Sequence, residues 1–288
     1  MTERTQDMDS RRQSQDKPRS DDHDHGLHDV TATVVALNRP VRSVLRVTAA
    51  APGLAEDDNW ALPNVAFRIH LDTPDGEDSR IYTVRSIDPA AGTFDFDIVL
   101  HTHASLMMQW AGARRVGDSF RLTGPRPQSP IPDTEGRALA LFLDETAIPA
   151  LATLLPRLPA GIEGVGWVAT DDEGAFAELP TVPGLALKRI GEHRIGGAAD
   201  SPLVAQAMAL AQPERYVVWG AGERDEMRLI RQHFRTTVGL SKDQVAVGGY
   251  WKRGASNTEI DRHRLQDYQR IMAAGGSLAD YDDLAIGI

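Results

Sequence analysis

Four prolines fall within the nine residues from Gly124 to Pro132, and the hydrophobic pattern changes its period across that stretch. Proline fixes φ and lacks an amide proton, so the run is expected to stay outside regular structure and to join two differently built halves. Upstream, residues 30–36, 41–49, 64–71, 79–85, 93–100 and 118–123 carry Val, Ile, Phe, Thr or Leu in alternation. Period two over short segments marks strands, and six of them in so small a space predict an antiparallel barrel. One helix is expected within it at 106–114, where Ser105 can cap the start and Leu106, Trp110 and Ala113 share a face.

Downstream the period lengthens. Residues 138–143 read as a strand and lead through Asp144-Glu145-Thr146 into a helix with Ala147, Leu151, Leu154 and Leu158 on one side. Further strands are expected at 163–169, 185–190, 215–219 and 244–250. Between the last two, Met227, Ile230, Phe234 and Val238 define the inward face of a helix that Gly239 can end. Strand and helix in alternation imply a mostly parallel sheet, with ligands at the carboxyl ends of its strands. The expected organisation is a disordered tail at 1–30, a six-stranded antiparallel β-barrel domain at 31–125, a Pro-rich linker at 126–136 and a parallel-sheet α/β domain at 137–288.

Composition narrows the function. The tail holds eight acids and five bases against four apolar residues, too little to bury; its Asp and His residues at 21–25, with His28, suit a divalent metal in type but have no fixed geometry. Over the whole chain 31 Lys and Arg stand against 41 Asp and Glu, a net charge of −10 that argues against a nucleic-acid surface. Any anionic ligand must therefore meet a local basic pocket. There is no cysteine, which excludes disulfides, thiolate nucleophiles and Cys-held zinc or iron-sulfur centres. No apolar run approaches the roughly 18 residues of a membrane span, and the first 30 residues lack the apolar core of a secretory signal. No membrane partner is expected, and the cytoplasm is the expected setting.

Within this frame one string stands out, Arg80-Ile81-Tyr82-Thr83-Val84-Arg85 near the end of a predicted strand. Alternation sends Arg80 and Tyr82 to one face and Thr83 to the other, so one side chain can meet a phosphate while its neighbour meets a ring. Taken alone, the string is equally a half-buried strand with two exposed arginines. Its context extends the pattern: Phe96 to His101, Trp110-Ala111, Gly117-Asp118 and Gly124-Pro125 follow in order. In the second half come Asp144-Glu145-Thr146-Ala147-Ile148-Pro149, then Gly220-Ala221-Gly222-Glu223, Arg228 and Arg231, and Gly249-Tyr250-Trp251-Lys252-Arg253-Gly254.

This succession, over residues 30–255, resembles the siderophore-interacting proteins of the ferredoxin-reductase-like superfamily. The resemblance implies an FAD-binding barrel followed by an NAD(P)H-binding domain that also faces the siderophore. It implies that Arg80 pairs with the FAD pyrophosphate, that Tyr82 lies against the isoalloxazine or ribityl chain, that Thr83 bonds near flavin N5 and that Arg85 stays at the cofactor edge. His101, Ser105 and Trp110 fall on the implied phosphate-binding segment, where a helix amino end offers free amides. There the chain departs from its relatives: His101-Thr102-His103-Ala104-Ser105-Leu106-Met107-Met108-Gln109 replaces a glycine-containing cluster with a later serine, and His103 stands as a substitute donor. Thr146 is expected near the nicotinamide, with Gly222, Glu223 and Trp251 also on the cofactor side.

Arg68 stands where relatives carry a substrate-site lysine, and Lys252 and Arg253 supply two more cations at a strand end. These three are expected to form one pocket for an anionic ferric siderophore. Tyr250 reads as sheet core. A last helix is expected at 258–273, with Ile260, Leu265, Tyr268 and Met272 apolar, docked on the second domain or on a partner. The implied activity is reduction of a ferric siderophore by NAD(P)H through FAD, with release of Fe(II). Two other readings stay open: a general NAD(P)H:flavin or quinone reductase, and a siderophore-binding protein without activity. Oligomeric state is open, and a monomer suffices for everything the motifs imply.

Overall fold

The computed structural model describes residues 27–73, 76–101, 105–191, 196–255 and 257–276. The tail through residue 26 and His103 lie outside the described residues, and so do Thr102 and Ala104 of the altered segment. Six strands close into a barrel: β1 (His28–Asn38), β2 (Val44–Ala50), β3 (Val65–Thr73), β4 (Gly76–Asp88), β5 (Thr93–Val99) and β6 (Ser119–Pro127), with helix α1 (Leu106–Ala113) before the last. Their order around the barrel is β1-β2-β5-β4-β3-β6, every pair antiparallel. Alternation turns Phe67, Phe94, Phe96 and Phe120 inward, and Phe67 meets Phe94 and Phe96 edge-on at 5.1 and 5.2 Å between ring centres. Such edge-to-face pairs add roughly 0.5–1.5 kcal/mol each to the burial of the rings.

Two strand limits correct the expected boundaries. β1 begins at His28, so residues 28–30 belong to the barrel and not to the tail. β6 runs on through Gly124-Pro125-Arg126-Pro127, part of the run expected to lack regular structure. The reason lies in the pairing. β1 starts opposite Gly124, so beyond that point β6 has a neighbour, β3, on one side alone. A proline whose nitrogen faces the open side removes no ladder bond.

The second domain is built from β7 (Ala138–Asp144), α2 (Ile148–Leu154), β8 (Gly164–Ala169), α3 (Glu173–Ala177), β9 (Leu185–Ile190), α4 (Pro202–Met208), β10 (Tyr216–Glu223), α5 (Arg224–Gln232) and β11 (Val245–Trp251). The sheet order is β11-β10-β7-β8-β9, all parallel. The chain moves outward from β7 to β9 and then returns to β10 on the other side of β7. That reversal makes a switch point between β7 and β10, where the two flanking crossovers leave a crevice at the strands' carboxyl ends. Met227, Ile230 and Phe234 face inward as the period requires, and Gly239 ends the segment at φ 84°.

Helix α6 (Asn257–Ala273) follows, and it corrects a further expectation: it leaves the parallel sheet and packs across barrel strand β4. Ile260 anchors it, 4% exposed, whereas Leu265 and Met272 are about half exposed. Barrel and sheet are joined by charges. Arg46 meets Asp97 at 2.7 Å and Glu178 at 2.9 Å, and Arg85 reaches the same two carboxylates at 3.4 Å each. Nearby, Ser43 N donates to Asp172 at 2.8 Å and Asn64 N to Thr153 at 2.9 Å. Paired buried charges add little net stability, yet several bonds of fixed direction define one relative position of the two domains.

Candidate functional site

A cleft of about 980 Å³ opens between the barrel and the crevice of the sheet. Its barrel wall carries Arg80, Tyr82 and Thr83 on β4 and Arg68 on β3, together with His101 and Ser105. The ring of Tyr82 packs 5.5 Å from Phe96 and 6.5 Å from Phe67. Burial pushes its phenol well above the ordinary value, against a smaller opposing pull from Arg80. Arg80 is held by Asp78 at 2.8 Å and by the carbonyl of Ser79 at 2.7 Å, which points its guanidinium along the wall. Ser105 caps α1 as expected, its hydroxyl accepting from Met108 N at 3.2 Å. The free amides of the first turn thus open beside the cleft, where a phosphate is favoured by both the amides and the helix dipole.

Thr146 and Trp251 line the opposite wall, both pinned by one buried carboxylate. Asp144, fully buried at the end of β7, accepts from Thr146 N at 2.9 Å, from the Thr146 hydroxyl, from Glu223 N at 3.0 Å and from Trp251 Nε1 at 2.7 Å. Gly222 serves this network rather than a ligand: a Cβ there would lie 2.8 Å from the Asp144 carboxylate. Glu223, 3% exposed, caps α5 by accepting from Asp225 N and Glu226 N, and it also takes the amide of Arg253. Both residues therefore support the wall from behind and do not stand on it. Tyr250 packs against the sheet core as expected, but its hydroxyl also crosses to Asn64 Oδ1 of the barrel at 2.7 Å.

Four other expectations are corrected. Arg85 does not stay at the cleft edge; its guanidinium turns to Asp97 and Glu178 in the inter-domain cluster. Trp110 packs edge-on against Phe120 at 5.5 Å and lies under Arg114, half-buried against the barrel's core and not on the cleft wall. Lys252 and Arg253 do not join Arg68 in one pocket. The ammonium of Lys252 is captured by Asp225 in the first turn of α5, and Arg253 is exposed, with its guanidinium 3.5 Å from the carbonyl of Gly196.

The basic pocket itself exists, with other members. Among the described residues six arginines line the cleft, Arg68, Arg80, Arg126, Arg224, Arg231 and Arg264, against two aspartates, Asp97 and Asp261. A chain of net charge −10 thus presents a cationic interior to whatever enters. Arg224 and Arg231 had a signal in the sequence, since seven residues are two helical turns and place both on one face of α5. Arg264 and Asp261 lie on α6, a helix its apolar spacing announces, but that spacing says nothing of the charged residues interleaved with Leu265 and Tyr268 that face the cleft.

Comparison with known proteins agrees with this geometry. The family model described as "Siderophore-interacting FAD-binding domain" matches residues 60–129, and that described as "Siderophore-interacting protein" matches residues 137–254. Ferric acinetobactin reductase of Acinetobacter baumannii is 33% identical over 91% of this chain and 92% of its own length. Ferric vibriobactin reductase of Vibrio cholerae is 24% identical over 78% of this chain and 91% of its own. The solved siderophore-interacting protein of Acinetobacter baumannii superposes with a TM-score of 0.79 at 30% identity, covering 86% of this chain and 99% of that one. With both domains matched in order, and a relative of this identity spanning nearly the whole length, the chain belongs to the siderophore-interacting protein family and is an FAD-dependent oxidoreductase.

Proposed function

We propose that the protein reduces ferric siderophores with electrons from NAD(P)H, passed through FAD. What supports this most is the convergence on one cleft of a ring-binding strand face, the switch point of a parallel sheet and a cationic lining. The cleft lies at the upper end of the roughly 300–1,000 Å³ range of ligand sites. FAD fits the residues present: Arg80 and the α1 amides match its pyrophosphate, and the Tyr82 ring with Thr83 offers the flat, half-polar surface an isoalloxazine needs. When bound, FAD accepts a hydride and gives up single electrons, which lets a two-electron donor serve a one-electron acceptor.

The chain's own residues position and select. Thr146 and Trp251, fixed through Asp144, form the wall where a nicotinamide is expected. The arginines raise the local concentration of an anionic iron complex, whose entry the protein's overall charge would otherwise oppose. Reduction then favours release, because oxygen donors hold the more highly charged Fe(III) far better than Fe(II). No side chain needs to donate or remove a proton for that step. We place the reaction in the cytoplasm, in keeping with a chain that has no cysteine.

Anaerobic mixing of the FAD-loaded protein with NADH or NADPH, then with a ferric siderophore, tests the reading. Loss of the oxidised flavin spectrum should follow the nucleotide, and its recovery together with capture of Fe(II) should follow the iron complex. Fast reduction of quinones with little turnover of ferric siderophores would replace this reading with a general reductase. Iron-complex binding with no flavin bleaching by either nucleotide would leave a binding protein.

A further inference from the structure

Helix α6 forms part of the cleft wall, and its inward residues recur at helical spacing: Asp261, Arg264, Leu265 and Tyr268 all line the cavity. Asp261 does more than line it. One carboxylate oxygen stands 2.6 Å from Arg68 of strand β3, and the other 3.2 Å from Arg264 one turn along the helix. Two of the six cationic side chains of the wall are therefore bridged by a single anion that the chain carries itself. The Arg68 side chain is 18% exposed and that of Asp261 34%, so the bridge lies where a ligand can reach it, in a setting less screened than open water.

Accordingly we propose that α6 is a wall of the acceptor site and that Asp261 sets the charge of the iron complex the cleft takes. The inference rests on the function proposed above and names a selectivity-determining residue for it. An incoming anion must compete with Asp261 for Arg68 and Arg264, while a neutral complex need not. The carboxylate thus discounts strongly anionic complexes and leaves neutral ones nearly unaffected, a selection by repulsion as well as by attraction.

Binding of two probes to the FAD-loaded protein tests this: the trianionic iron(III) complex of a hexadentate tris-catecholate and the neutral complex of a hexadentate tris-hydroxamate. Quenching of tryptophan fluorescence reads the binding with no electron donor present, so the result does not depend on turnover. In Asp261→Asn the tris-catecholate complex should bind about tenfold more tightly, with far less change for the tris-hydroxamate, and the difference should shrink at high salt. Asp261→Glu should keep the parental preference. Equal shifts for the two probes would mean that α6 only occupies space, and no shift in either would remove Asp261 from the site; both outcomes overturn the proposal. If the variant unfolds, seen as a lowered melting temperature, Arg68→Met supplies the complementary result: with one cation gone and Asp261 less neutralised, the tris-catecholate complex should lose affinity relative to the tris-hydroxamate, and equal or absent shifts overturn the proposal.

Discussion

Asp144→Ala should destabilise the second domain by roughly 3–5 kcal/mol, the largest effect expected of any single substitution in this site. The carboxylate accepts from four donors: the amide and hydroxyl of Thr146, the amide of Glu223 and the indole of Trp251. A buried donor left without an acceptor costs about 1–3 kcal/mol, and alanine would orphan all four. The sum is reduced because the folded state no longer has to bury a carboxylate. For a domain of this size the loss corresponds to a fall of roughly 10 °C in melting temperature. Asp144→Asn, which keeps one acceptor oxygen, should fall between the two. A melting temperature within a degree of the parent would show that the network is not holding β7, β10 and β11 together.

Arg80→Ala should act on the cofactor instead. A charge-assisted contact to a pyrophosphate is worth about 1.5–3 kcal/mol, so FAD affinity should drop by roughly 10- to 100-fold. Equilibrium dialysis against FAD measures this directly, and the FAD-free variant should melt close to the FAD-free parent. Arg80 is positioned for the task by Asp78 and the Ser79 carbonyl. Unchanged affinity would mean that the pyrophosphate lies elsewhere on the wall, with the amino end of α1 as its main support.

Much of the fold was legible because the two periods of hydrophobic spacing are short-range properties. A run such as Phe94, Phe96 and Ile98 declares a strand face without reference to anything distant, and Met227, Ile230 and Phe234 declare a helix face in the same way. The carboxyl-end position of the site followed from the alternation of strand and helix, and Arg80, Tyr82, Thr83, His101, Ser105, Thr146, Trp251 and Arg68 all lie on the cleft.

What escaped was the choice of partner. Arg85 belongs to the β4 string by sequence, but its charge is taken by Asp97 and by Glu178, which sits 93 positions away in another domain. Lys252 adjoins the Trp251 wall, yet Asp225 reaches it first. Nothing local distinguishes a cation that awaits a ligand from one already paired. Gly222 illustrates the converse, since a glycine beside a site reads as space for a ligand and here is space for Asp144.

The charged tie between Arg46, Arg85, Asp97 and Glu178 has a consequence for how traffic through the cleft is organised. Domains fixed at a set distance cannot admit two bulky molecules by swinging apart, and on the function proposed above the electron donor and the iron complex would share this one cleft. On that function access would be ordered in time and not in space, one visitor leaving before the next arrives. The burden of choosing what enters would then fall on the charged lining and not on any motion of the frame.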